Sequence, residues 1–202
     1  MVKEEREYLE KYGDVPNSYV KRLDQLLDGK FTRYKGDILN EMNRIMNIKW
    51  NRLDITIYMV PKPTPRPRMG GGGKVFYVKN AANNRKRFKK FMDREQLPQI
   101  RTPVKFYCKS YLPIPSSMNK LEKVFAEMGL ISPISKPDWD NLGKTYSDMI
   151  QEQLLLDDSL IVEGVSSKRY SSKPRIEITI FYMDGFDSQF NKKKIQSILN
   201  KE

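Results

Sequence analysis

The chain has 202 residues and no histidine, and its 37 Lys and Arg against 25 Asp and Glu give a net charge of +12. This charge favours a polyanionic partner such as nucleic acid, with a merely lysine-rich composition as the simpler alternative. The single cysteine, Cys108, excludes a disulfide framework and a cysteine zinc site, and we expect it to be a small buried core residue. No apolar run approaches the ~20 residues of a membrane span, and the charged N-terminus lacks the apolar core of a secretion signal. We therefore predict a cytoplasmic protein with no membrane partner.

Residues 1–50 are predicted to form a helical N-terminal extension. Helices are expected over residues 4–12, after a cap at Asn17 or Ser18, and from about Tyr34 to Ile48. Charges are mixed in this region and no catalytic cluster is visible. We interpret it as a cover for the core, while a dimerisation or partner-binding element stays open.

The next segment combines prolines, glycines and cations. Residues 53–60 contain alternating β-branched and aromatic residues, a pattern that predicts a strand. The prolines of residues 61–68 then predict an extended path, the glycines of 70–73 a flexible tip, and residues 74–78 a second strand. No Gly-Lys-Ser/Thr follows the glycines, so this is not a phosphate-binding loop and we expect no nucleotide cofactor.

Residues 61–94 carry eleven Lys or Arg and one acid, Asp93. A helix is predicted over residues 81–96, with Phe88, Phe91 and Met92 facing inward and the cations outward. Charge this concentrated usually faces phosphates, and a solvated helix face is the alternative. The predicted DNA-binding residues are Arg66, Arg68, Lys74, Arg85, Lys86, Arg87, Lys89 and Lys90, together with Lys168 further along the chain.

The remaining pattern predicts an α+β fold: a small sheet of about four strands with helices packed on it, plus the N-terminal helical extension. Strands are expected over residues 104–112, 160–170 and 175–183, and Ser116 or Ser117 is expected to cap a helix that ends at Gly129. Residues 51–185 are assigned to the main domain and 186–202 to a basic C-terminal helix or tail. Strand order does not follow from spacing alone.

Acidic residues gather after Pro137. Asp138 is placed to cap a helix whose apolar residues recur at steps of three and four, which predicts one buried face. Asp140, Lys144 and Asp148 fall on a different stripe. The predicted buried residues are Trp139, Leu142, Tyr146, Met149 and Ile150.

A cap and a solvated charge ladder would explain any one of these acids alone. A second carboxylate beside a helix N-terminus that already holds one gains little, however, unless a cation neutralises both. Asp157 and Asp158 add two more carboxylates at the start of a predicted strand. Oxygen ligands of this kind suit Mg²⁺ or Mn²⁺.

The combined pattern resembles the RusA-type Holliday junction resolvases, small endonucleases of bacteria and their phages. It reads Lys136-Pro137-Asp138-x-Asp140-Asn141-Leu142-x-Lys144-x-x-x-Asp148, then Asp157-Asp158-x-x-Ile161-Val162-Glu163, then Lys168. The match covers about residues 136–183, with a weaker match near residues 61–78.

The resemblance implies a small mixed sheet, a homodimer, four-way DNA junctions as substrate and Mg²⁺ as cofactor, with Mn²⁺ as a substitute. It implies that Asp138, Asp140 and Asp158 bind the metal and that Lys144 is needed for cleavage. Three residues are secondary candidates. Asn141 could fix a carboxylate through its amide, with a helix cap as the simpler alternative. Asp157 and Glu163 are second-tier metal ligands, with a turn former and a solvent-facing strand residue as the respective simpler alternatives. Asp148 is expected to pair with Lys144.

Other functions fit less well. A calcium loop starting at Asp138 would place Leu142 and Met149 at ligand positions. A restriction-type nuclease motif would place an acidic-x-Lys sequence on a strand after Pro137-Asp138. The nearby lysine, Lys168, is preceded by Ser166-Ser167, so that motif is absent there. A non-catalytic basic DNA-binding module explains residues 61–94 but not the clustered acids, and it would keep its DNA affinity in EDTA without nicking in Mg²⁺. A nuclease for other branched DNA, such as flaps, stays open.

Overall fold

The computed structural model describes residues 7–8, 11–64, 68–69, 75–76, 81–95, 97 and 99–200. The chain divides into two compact units, residues 1–49 and 50–202. The first unit is helical, with α1 (Asn17–Leu26) and α2 (Phe31–Met46). Pro16, not Asn17 or Ser18, occupies the cap position of α1 and makes no side-chain cap. The start of α2 is held instead by Asp24, whose Oδ1 accepts a hydrogen bond from the Phe31 N–H at 2.9 Å.

Over the described residues, the second unit has the strands β1 (Trp50–Ile57), β2 (Arg68–Met69), β3 (Val75–Phe76), β4 (Val104–Pro113), β5 (Ile161–Ser171) and β6 (Arg175–Met183). Four of them form a mixed sheet in the order β1-β6-β4-β5, in which β4 and β5 are parallel and the other pairs antiparallel, while β2 and β3 pair with each other. The α+β fold with a mixed sheet is therefore confirmed. The helices of this unit are α3 (Ala81–Glu95), α4 (Lys120–Glu127), α5 (Trp139–Gln151) and α6 (Gln189–Leu199), with a 3₁₀ turn over Asp158–Leu160.

One face of the sheet is buried under helices. Alternate residues of β4 and β6 point into this core, and α5 and α3 cover it. Burial raises the pKa of the Cys108 thiol to about 12, in line with its predicted place in the core. The central residues are Val104, Phe106, Cys108, Ile176, Ile178, Ile180, Leu142, Tyr146, Ile150 and Phe88.

The start of one helix differs from the sequence-based prediction. Helix α4 begins after Asn119, not after Ser116 or Ser117, because Asn119 and Glu122 form a reciprocal capping box with bonds of 2.8 and 2.9 Å. Residues 189–199 form a helix capped by Ser188, which is the first of the two alternatives, helix or tail, predicted for residues 186–202. Over the described residues, the helices are all too short or too polar to cross a membrane.

Candidate active site

Helix α5 begins where the sequence predicted, with Asp138 as its N-terminal flanking residue. The Asp138 carboxylate, however, accepts no capping hydrogen bond from the first turn, and it is exposed. Asp140 is also exposed in that turn, and Asn141 beside it is half-buried. Two carboxylates thus lie at the positive end of a helix dipole, where negative charge is favoured.

Lys144 connects this helix to the turn before β5. Its Nζ lies 2.7 Å from Asp148 Oδ1 on α5 and 3.7 Å from Asp158 Oδ2 in the 3₁₀ turn. The hydrogen bond to Asp148 raises the pKa of the Lys144 ammonium, with a smaller contribution from Asp158. The structure therefore brings Lys144, Asp148 and Asp158 together, one helical turn after Asp140.

Asp157 fixes the shape of the turn that carries Asp158. Its Oδ1 accepts a hydrogen bond from the Ser159 N–H at 2.9 Å, and hydrogen bonds from Ser159 lower the pKa of the Asp157 carboxyl. Asp157 thus caps the turn through its side chain. The neighbouring Asp158 side chain is about half exposed, and its Oδ2 lies 3.7 Å from Lys144 Nζ.

Strand β5 anchors the start of α5 through contacts that sequence reasoning missed. Ser166 Oγ donates to the Trp139 carbonyl oxygen at 3.0 Å. Lys168 Nζ donates to the carbonyl oxygens of Ser135 at 2.7 Å and Pro137 at 3.0 Å. Lys168 therefore holds the loop that leads into α5, and its contact with DNA stays a prediction. The one indication of these contacts in the sequence was Gly143, whose lack of a side chain lets α5 approach Ser166.

Glu163 is not brought to this cluster. Side chains alternate along β5, so Glu163 and Ser166 lie on opposite faces of the sheet. On its face Glu163 accepts hydrogen bonds from the Tyr107 hydroxyl and from Lys105 Nζ, the latter at 3.0 Å. The hydrogen bond from Tyr107 is the main cause of a lowered pKa of the Glu163 carboxyl, and the bond from Lys105 adds to it.

One basic residue of α3 forms an ion pair with α5, and others on the same helix are exposed. Arg85 forms a bidentate ion pair with Glu152, with Nε 2.8 Å from Oε2, and so links α3 to the end of α5. Lys86, Arg87, Lys89 and Lys90 are exposed, while Phe88 and Met92 are buried as predicted. Arg66 and Lys74 lie outside the described residues, and for Arg68 the structure describes the backbone in β2 but not the side chain.

The donor chemistry fits a hard divalent cation, although the described acids do not form a closed cluster. Within the described ranges, no group of three or more Asp, Glu or Cys residues is close enough to hold a metal. Asp138, Asp140 and Asp158 nevertheless supply carboxylate oxygens, the ligands that Mg²⁺ prefers. Asp158 also pairs with the Lys144 ammonium of α5, whose Nζ lies 3.7 Å from Asp158 Oδ2.

A comparison with known families decides the affiliation. The model of the family "Endodeoxyribonuclease RusA" matches residues 59–181, which is more than half of the chain. The chain belongs to the endodeoxyribonuclease RusA family. The family predicted from the pattern around Asp138 is thereby confirmed, and with it the nature of the protein as an endodeoxyribonuclease, a hydrolase of the Holliday junction resolvase class.

A relative shares most of this region. "Uncharacterized protein YqaN" of Bacillus subtilis (strain 168) is 34% identical over 135 residues, which make up 63% of this chain and 94% of that protein. The RusA match lies entirely within the second compact unit, which contains the sheet, α5 and the 3₁₀ turn. Family membership therefore bears on residues 50–202 and not on the helical first unit.

Proposed function

We propose that this RusA-family protein resolves four-way DNA junctions by Mg²⁺-dependent hydrolysis of phosphodiester bonds, with Mn²⁺ as a substitute. Asp138, Asp140 and Asp158 would hold the metal. The observation that carries the proposal is the contact of Lys144 with Asp158, because it joins the helix that bears Asp138 and Asp140 to the turn that bears Asp158. This arrangement supports the ligand set that the family resemblance implies.

The chemistry requires positive charge because the target phosphate is anionic and repels an attacking hydroxide. A bound divalent ion supplies Lewis acidity, lowers the pKa of water and neutralises charge on the leaving oxygen. Asp138 and Asp140 at the start of α5 and Asp158 in the 3₁₀ turn would hold that ion through their carboxylate oxygens. Asn141, next to Asp140, would fix a carboxylate through its side-chain amide.

Lys144 would act on the phosphate directly. A lysine side chain is charged at neutral pH, so the Lys144 ammonium can donate a hydrogen bond to a phosphate oxygen as negative charge develops there. Asp148 holds the ammonium from the side of α5 at 2.7 Å. Asp157, Ser166 and Lys168 would serve as positioning residues, since they shape the turn and fix the start of the helix.

DNA affinity would come mainly from the basic segment. Lys86, Arg87, Lys89 and Lys90 are exposed on α3 and each carries a positive charge, and counterion release at phosphates gives such surfaces a strong, sequence-independent affinity. Arg66, Arg68, Lys74 and Lys168 are proposed to add to this surface. Glu163, on the far face of the sheet, is proposed only as an indirect support of β5.

A homodimer would match the symmetry of the substrate. A four-way junction is close to two-fold symmetric, and resolution needs paired nicks, which an isologous dimer provides with two identical sites. We place this activity in the recombination and repair of bacterial or phage DNA in the cytoplasm. Sedimentation equilibrium of the full chain at micromolar concentration tests the dimer, and a monomer that makes both nicks before release would contradict it.

The decisive experiment compares three substrates and four variants. Asp138→Asn, Asp140→Asn and Asp158→Asn should each abolish Mg²⁺-dependent cleavage of a synthetic four-way junction. Each should leave binding intact or tighter, because the change also removes repulsion of phosphate. Asp184→Asn, at an exposed acid beyond β6, is the matched control and should cleave normally. Substantial nicking by one of the three variants would remove that residue from the ligand set.

The same assay separates the alternatives. A non-catalytic binding module would bind the junction in EDTA and cleave nothing in Mg²⁺ or Mn²⁺. A flap nuclease would cleave a flap substrate faster than the junction, and a linear duplex gives the background rate.

A further inference from the structure

Trp139 is exposed where the sequence pattern predicts burial. It follows the same helical spacing as the buried Leu142 and Tyr146, yet 61% of its surface is accessible. Burial of a tryptophan removes some 150–250 Å² from water, so an exposed one leaves a large apolar area unused in folding. Ile134, a few residues earlier, is 96% exposed. Single exposed apolar residues are common on protein surfaces, so it is the way Trp139 is held and the residues that flank it that indicate an interaction site.

The backbone that carries the indole is fixed. Ser166 Oγ donates to the carbonyl oxygen of Trp139 itself at 3.0 Å. Lys168 Nζ donates to the carbonyl oxygens of two residues earlier in the same loop, Ser135 and Pro137. Trp139 therefore projects from an anchored helix start rather than from a loose loop, and a ligand that meets its ring need not first order the chain.

Charged residues flank Trp139 in the sequence. Trp139 stands between Asp138 and Asp140, with Lys136 just before them and Lys144 one turn later. The cores of protein–protein interfaces are depleted of charged residues, which argues against a second protein copy as the occupant. A nucleotide suits this setting, because its anionic phosphate meets the cations while its base offers an apolar face to the indole.

We infer that Trp139 is a stacking platform for a DNA base whose own stack is interrupted at the branch point, and that it determines the preference for branched over linear DNA. The inference rests on the proposed function, which places the cut strand at Asp138 and Asp140. Inside a linear duplex both faces of a base are covered by neighbours, so the indole gains no contact there. At a branch point a base face is open, and stacking on an aromatic ring tolerates any base sequence.

The test measures binding in EDTA, so that it does not depend on any metal-assisted step. Dissociation constants of the full-length protein are compared for a four-way junction and for a linear duplex built from the same arms. Trp139→Ala should weaken junction binding by about 5- to 150-fold, the range expected for one base–aromatic stack, and leave duplex binding within about twofold. Trp139→Phe should retain most of the junction affinity. Phe190→Ala, at an aromatic residue that is 77% exposed on α6, is the matched control and should change neither constant.

A spectroscopic readout distinguishes stacking from a structural role. The chain has two tryptophans, so in Trp50→Phe the indole of Trp139 is the sole reporter. Its emission should be quenched by the junction and not by the duplex. Equal losses on both DNAs in Trp139→Ala, unchanged emission on junction binding, or equal wild-type affinity for the two DNAs would each overturn the inference. Loss of a dimer in DNA-free Trp139→Ala would also overturn it and assign the ring to a protein interface. Failure of the proposed metal chemistry would show separately, as unchanged cleavage in the Asp138→Asn variant.

Discussion

Gly143 of α5 lies so close to Ser166 of β5 that a Cβ at position 143 would stand 2.9 Å from the Ser166 Cβ. Atoms at that distance overlap, and the Cβ of Ser166 cannot rotate away. The contact sets how near α5 sits to the edge of the sheet, and it stands beside the Ser166 hydrogen bond to Trp139. The position of the acids at the start of α5 depends on this approach.

Gly143→Ala should therefore destabilise the second unit although alanine favours helices. Overpacking of this kind costs about 1–3 kcal/mol, which exceeds the gain of up to ~1 kcal/mol from helix propensity. Urea unfolding followed by circular dichroism measures the change. Gly36→Ala in α2 is the control, because nothing lies within 4 Å of a Cβ there, and it should be neutral or stabilising. An equally stable Gly143→Ala protein would show that the helix shifts without cost.

Removal of the Lys144 ammonium should slow cleavage more than it weakens binding. Lys144→Met deletes a charge placed for the developing negative charge on the phosphate, and loss of one such donor typically lowers the rate about 10²–10³-fold. Single-turnover cleavage of a bound junction measures the chemical step. Asp148→Asn keeps the ammonium and removes its 2.7 Å partner, so it should cause a smaller loss. If Asp148→Asn proves as damaging as Lys144→Met, Asp148 acts in its own right.

The exposed cations of α3 should set the salt dependence of DNA binding. We expect neutralisation of Lys86, Arg87, Lys89 and Lys90 to weaken binding to every DNA structure. The slope of log Kd against log salt concentration should also decrease, by about 0.9 for each phosphate that the helix no longer neutralises. Arg85 is left in place because it pairs with Glu152. Neutralisation of the exposed Lys192, Lys193 and Lys194 on α6 is the matched control. An unchanged slope in the α3 variant would show that this helix faces away from DNA.

Glu127 should make stability sensitive to acid. The Ser172 backbone N–H and the Ser171 hydroxyl donate to its carboxylate and lower its pKa. The folded pKa is thus below the unfolded one, so the stabilisation is complete above the ordinary carboxyl range and is lost as the pH falls through the folded pKa. Glu127→Gln should be less stable at neutral pH, and its melting temperature should fall less than that of the wild type below about pH 5. Parallel pH curves for the two proteins would contradict this.

Several features could be predicted from local sequence because their causes are local. The start of α5 at Asp138, the inward Phe88 and Met92 of α3, and the alternation along β4 all follow from periods of 3.6 and 2. The start of α4 was also encoded locally, in Asn119 and Glu122, but Ser116 and Ser117 offered a competing cap signal. The burial of Trp139 was predicted wrongly because periodicity assigns a helix face and does not say where the partner sheet ends.

The sequence by itself determined the α+β class, the basic segment and the RusA affiliation, since these depend on residue types at fixed spacings along one chain. Only the tertiary structure decided which side chains from distant segments contact each other. Lys144 reaches Asp158, Lys168 holds the loop before α5, and Glu163 turns to the far face of the sheet. These relationships join segments that are 14 to 56 residues apart, and they depend on strand order and on the parallel register of β4 and β5. No spacing rule encodes them, because they arise from packing against a common core.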